Sequence, residues 1–232
     1  MCQPLPRREP PPASRPRGMT LIEVMVIIAT LGLLIAIGVT TWQRVTDQAP
    51  PHNAANDMVE AMQRARARAI ETRSDVWMVV YPGFNKRANT VTAGRGAWFV
   101  LEDAGAASSL DYRQFDPVTG NLSGPNARLI ESTYLENYGG RVRYRLPRSR
   151  IEMGQADAPF AGLEITTSCT FCTTGSRGAI VFAADGSIRF FDGSGDRVEG
   201  DPKGQALILI SDRSKYTSVV AVSPTTFGAF RK

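Results

Sequence analysis

The chain has 232 residues and a formal net charge of +5, enough for one well-buried domain beside a membrane segment. Its 43% hydrophobic and 21% charged residues are those of a folded protein and exclude wholesale disorder. The single histidine, His52, leaves almost no room for a Ser/His/Asp or Cys/His nucleophilic site.

The first 18 residues, "MCQPLPRREPPPASRPRG", are Pro-rich and hold four Arg against one Glu. Without them the chain carries 23 basic and 21 acidic residues, so the global basicity says little about nucleic acid. Residues 24–42 follow, without a charge and dominated by Val, Ile, Leu, Ala, Gly and Met. As a helix, about 20 such residues cross the ~30 Å hydrocarbon core. Arg15 and Arg17 in front predict a cytoplasmic N-terminus with the bulk of the chain exported. Glu23 sits at the mouth of this run. A carboxylate costs roughly 2.5–3.5 kcal/mol at mid-membrane and less near an interface, so its presence needs a reason.

Three readings compete. A cleaved secretory signal fits Ala36-Ile37-Gly38 as a small-x-small site, but the apolar run is long for it and contains Glu23. A plain anchor explains the length and leaves the carboxylate unexplained. The third reading starts from "GMTLIEVMVIIATLGLLIAIGV", which resembles the N-terminal signature of type IV pilin-like precursors. The resemblance implies cleavage between Gly18 and Met19 by a prepilin peptidase that also methylates the new amine. It makes Glu23 the fifth mature residue, able to pair with the Met19 amine of a neighbouring subunit and so offset both desolvation costs on assembly. Met19 departs from the Phe that the family favours.

Pro50 and Pro51 are expected to interrupt the helix after Trp42. A second, amphipathic helix is predicted from Met58, Met62, Ala65 and Ala69, which recur at helical spacing as one small-residue stripe. Arg64 and Arg68 fall on another face, read as solvated, and Glu60 stands four residues before Arg64. "ARARAIETRSDVWMVV" then resembles the GspH/FimT branch of minor pilins and pseudopilins, in which an Ala/Arg-rich helix end leads into a strand. That likeness covers the N-terminal third.

Beyond it short strands are predicted at 76–81, 97–101, 141–146, 162–166, 179–183, 187–191, 206–210 and 218–222, each bounded by turn formers. Asp185-Gly186 suits a tight hairpin turn. Residues 103–140 read as a turn-rich loop region. The fold class expected is α+β: a transmembrane helix, a short helix and an antiparallel β-rich domain. The expected organisation is a leader at 1–18, a transmembrane and assembly helix at 19–42, a linker and amphipathic helix at 43–74, and an exported domain at 75–232.

Cys169 and Cys172 form a Cys-x-x-Cys without the further Cys or His that zinc needs and without a surrounding βαβ pattern. A structural disulfide is the favoured reading in an exported domain. "DGSGDRVEGD" concentrates oxygen ligands, but Arg197 and Lys203 stand where an EF-hand loop needs Gly and Glu, so a solvated turn is favoured. "RVRYRLPRSR" puts Arg141, Arg143 and Arg145 on one strand face. Such a row suits a phosphate backbone, or equally a charge-protected edge strand, which is preferred. No cofactor and no metal site are expected.

The resemblance implies a structural role as a minor pseudopilin or minor pilin of a type II secretion or type IV pilus machine. Its implied partners are other pilins or pseudopilins, the prepilin peptidase and the inner membrane, which residues 24–42 would cross once, leaving the C-terminal domain in the periplasm. A DNA-uptake pilin is the alternative among binding proteins, and an anchored exported enzyme the alternative of another class.

Overall fold

A computed structural model describes residues 19–103, 110–122, 127–147, 149–173, 176–199, 203–212 and 216–232. The protein is α+β. Helix α1 (Leu21–Thr72) is followed by strands β1 (Val76–Tyr81), β2 (Ala97–Asp103), β3 (Ala127–Tyr134), β4 (Val142–Tyr144), β5 (Ile151–Glu152), β6 (Glu164–Ile165), β7 (Gly178–Phe182), β8 (Ile188–Phe191), β9 (Gln205–Ser211), β10 (Thr217–Val222) and β11 (Phe227–Arg231). The chain divides into two compact units, Met1–Arg44 and Val45–Lys232.

In the first unit, Leu21–Val39 is a 19-residue stretch of mean hydropathy 2.6 with none of it buried. It is long and apolar enough to cross a bilayer.

In the second unit the strands form a five-stranded sheet, β3-β2-β1-β7-β8, and a four-stranded sheet, β11-β10-β9-β4, with β5 and β6 as a separate pair. All these pairings are antiparallel. The period of two shows which side chains go where. Val76, Met78 and Val80 of β1 join the core that holds Met58, Met62, Ala65 and Ala69 of α1. Trp77, Val79 and Tyr81 point the other way, into a second core closed by Leu110, Tyr112 and Phe115. Leu207, Leu209, Val220 and Val222 of the smaller sheet face the helix. Their neighbours Ala206, Ile208, Val219 and Ala221 face a third core under β5 and β6. Strands buried on both faces read as continuous apolar runs, which is why these were legible.

The predicted stripe on the helix is confirmed. Met58, Met62 and Ala69 are fully buried and Ala65 is 2% exposed. The predicted break at Pro50 and Pro51 is corrected, because helical backbone runs through both. Each proline removes one i→i−4 hydrogen bond. The apolar contacts that begin at Ala54 and Ala55, both fully buried, offset that loss.

The region read as loop is corrected too. Residues 127–134 form β3, which pairs along β2 with a bulge between Val100 and Leu101. Its side chains alternate between half-buried and exposed, as an edge strand's do. Residues 104–109 and 123–126 lie outside the described residues. The strand expected at 141–146 is only Val142–Tyr144, and that at 162–166 only Glu164–Ile165. The hairpin turn stands: Gly186 has φ +80°, a region glycine enters without strain, between β7 and β8.

Candidate functional site

Gly18 lies outside the described residues, and Met19 is 68% exposed. Thr20 is the N-cap of α1: its carbonyl accepts the Val24 N–H at 3.2 Å. Its hydroxyl accepts the Glu23 N–H at 3.3 Å, and its own N–H donates to Glu23 Oε2 at 3.1 Å. This is a reciprocal capping box. The Glu23 carboxylate thus has a partner within the chain, beside the one the resemblance implies on assembly. The Thr20 hydroxyl also reaches Oε2, at 3.2 Å, so Oε1 keeps its capacity to accept. "TLIE" carried the capping signal in plain sight.

Cys169 and Cys172 are joined by a disulfide. The bridged segment lies along β9, with Ile208 N–H donating to Ser168 O at 2.9 Å and Thr170 N–H to Ala206 O at 3.0 Å. Phe171, between the two cysteines, is fully buried in the helix-side core. The arrangement is that of a staple holding an apolar anchor.

Arg64 and Arg68 were read as a solvated face; Arg64 is exposed and Arg68 half-exposed, and both also form ion pairs with the larger sheet. Arg68 Nε and Nη2 donate to the two carboxylate oxygens of Glu102, each at 2.9 Å, and Glu102 is only 4% exposed. Arg64 Nη2 donates to Glu131 at 2.9 and 3.1 Å, while Glu60 stands 3.8 Å from its Nη1. Arg68 ties α1 to β2 by a bidentate pair, and Arg64 ties it to β3 through Nη2 alone.

Strand β4 is the edge of the smaller sheet, with Val142 and Tyr144 buried and Arg143 half-exposed between them. Arg145 is exposed, and the Arg141 carbonyl accepts the Asp212 N–H at 3.0 Å. The sequence reading missed what gathers round Arg143. Arg95 Nη1 donates to Asp212 Oδ2 at 2.7 Å, and Arg143 Nε approaches Asp212 Oδ1 at 2.6 Å as a charge contact. Partial burial pushes the Asp212 carboxyl up, but the guanidiniums of Arg143 and Arg95 outweigh it and hold it below the usual carboxylate range. Arg87, Arg95, Arg143, Glu136, Gly94 and Gly140 line an open cleft of about 240 Å³. Its wall is fixed: a Cβ at Gly94 would lie 1.9 Å from the Phe84 carbonyl oxygen.

No family model, curated protein or solved structure matches this chain.

Among the described residues, no group of three or more His, Cys, Asp or Glu is placed to hold a metal ion. In the acidic loop, Asp192 Oδ1 accepts the N–H groups of Ser194 at 2.9 Å and Asp196 at 3.1 Å, and the Tyr112 hydroxyl donates to the Asp192 carbonyl. Burial and the Asp192 charge push the Tyr112 hydroxyl up to about 12, so it remains a donor at neutral pH.

Proposed function

We propose that this chain is a structural filament subunit, a minor pseudopilin or minor pilin, inserted by α1 and assembled through it. The observation that carries the reading is the exposed span Leu21–Val39, mean hydropathy 2.6, opened by the Thr20–Glu23 box directly after Gly18-Met19. A helix apolar all round, with one carboxylate at its start, suits burial against lipid and then against copies of the same kind. In this reading the peptidase cuts after Gly18, residues 24–42 cross the inner membrane once, and the β-rich unit lies in the periplasm. Glu23 then sets the stagger of one subunit against the next. The DNA-uptake alternative through Arg141, Arg143 and Arg145 has less support, because the Asp212 and Glu136 carboxylates stand beside Arg143 and oppose a phosphate backbone.

Intact-mass measurement of membrane-extracted protein tests this. The expected chain begins at methylated Met19, and Gly18→Asp leaves the precursor uncut. A mature N-terminus at Val39 would establish ordinary signal cleavage and end the pilin reading.

A further inference from the structure

We propose that the cleft between the 85–95 hairpin and β4 is a recognition site for an acidic peptide segment, seating one carboxylate against Arg87, Arg95 and Arg143. Three features lead there. First, the guanidiniums are arranged before any ligand arrives: Asp212 holds Arg95 at 2.7 Å and Arg143 at 2.6 Å. An Arg carries five N–H donors, so each keeps several for a second acceptor. Second, Arg87 stands exposed at the tip of the hairpin, and its guanidinium has no partner among the described residues. The turn beneath it is fixed by Asn85 Oδ1, which accepts the N–H groups of Arg87 and Ala88, each at 3.1 Å. Third, the Glu136 carboxylate forms part of the wall. Its Oε1 accepts the Lys86 N–H at 3.2 Å, while Oε2 is buried without a hydrogen-bond partner.

Glu136 decides the class of ligand. With Arg87, Arg95 and Arg143 against Glu136 and Asp212, the site carries a local charge of +1, which complements a single carboxylate. A phosphodiester backbone offers acceptors only, so Glu136 repels it and stays unsatisfied. An acidic peptide offers both chemistries: its side-chain carboxylate meets the arginine forks, and a backbone N–H meets Glu136. The terminal torsion of a glutamate is soft, so a small rotation turns Oε2 toward that donor. The volume of about 240 Å³ admits one side chain and its peptide unit. The site stands on its own residues, whether or not the chain assembles into a filament.

The test uses the full chain in detergent micelles and the anisotropy of a fluorescein-labelled hexaglutamate peptide, with hexaglutamine and a short DNA duplex as the other arms. Hexaglutamate should bind, hexaglutamine should not, and Arg87→Ala should weaken binding about tenfold, one charged hydrogen bond's worth. Arg87 is exposed and its side chain makes no hydrogen bond or ion pair among the described residues, so its loss should leave the fold intact. Glu136→Ala should weaken the peptide too, because the acceptor for its backbone N–H is lost. A phosphate ligand would respond with the opposite sign. No hexaglutamate binding, binding unmoved by Arg87→Ala, or a DNA duplex bound more tightly and tightened further by Glu136→Ala would each overturn the proposal.

Discussion

Glu23 caps α1 and, in the proposed filament, would also pair with a neighbour's amine; one pair of substitutions separates the two. As the third residue of α1, it lies only about 3 Å along the axis from the helix start, at 1.5 Å per residue. The span Leu21–Val39 is 19 residues, or about 28 Å, close to the ~30 Å hydrocarbon core. In a bilayer the carboxylate would therefore sit at the interface, where its cost falls well below the 2.5–3.5 kcal/mol of the bilayer centre. Its value as a cap is about 1 kcal/mol, from the Thr20 N–H bond at 3.1 Å. Glu23→Gln keeps an acceptor at the third helical position and so keeps the box. Glu23→Ala removes box and charge together. Both variants should remain in the membrane after an alkaline wash. If Oε1 pairs with a neighbour's amine, both should lose crosslinking between subunits, and to similar extents. Crosslinking by Glu23→Gln at the wild-type level, with loss only in Glu23→Ala, would show that the residue acts as a cap and refute the pairing account.

Met62→Ala should destabilise the globular unit by about 2–5 kcal/mol in urea unfolding, since Met62 is fully buried between the two sheets; a loss under about 1 kcal/mol would contradict the packing. Acid should weaken the fold through Asp212, whose folded carboxyl lies below its unfolded value of about 3.9. That stability is fully present above about pH 4 and is lost as pH falls through the lower folded value. Thermal midpoints across that window should drop less steeply in Asp212→Asn than in the parent.

What could be read from sequence followed from how far each interaction reaches along the chain. The stripe of Met58, Met62, Ala65 and Ala69 is a four-residue pattern, and 76–81 is an unbroken apolar run, so both were visible locally. Strand β3 was not: "ARLIESTY" alternates polar and apolar weakly, and only its pairing with β2 makes it a strand. The double proline misled because its local cost is real, while the contacts that outweigh it come from β1, β7 and β9. The capping box was local and legible, but the same carboxylate had been assigned wholly to assembly. The arginine cleft was beyond reach, since Arg95 meets Asp212 across 117 positions and nothing near either residue marks the pair.

That cleft also bears on how a basic sequence should be weighed. Arg64, Arg68, Arg95, Arg113, Arg143 and Arg150 each face a carboxylate within 4.0 Å. Counterion release on a nucleic acid requires cations free to replace those ions, and a guanidinium already held by Asp or Glu contributes little of it. These six arginines therefore serve as fasteners. Arg64 and Arg68 hold the helix to the larger sheet, and Arg95 and Arg143 close the edge at β4. Edge strand β4 presents charged side chains, Arg143 and the exposed Arg145 beside it, which disfavour pairing with another strand. For a subunit proposed to stack by its N-terminal helix, that matters physically. Contacts between copies are then directed to the apolar span and away from the sheet edge, where pairing would be open-ended.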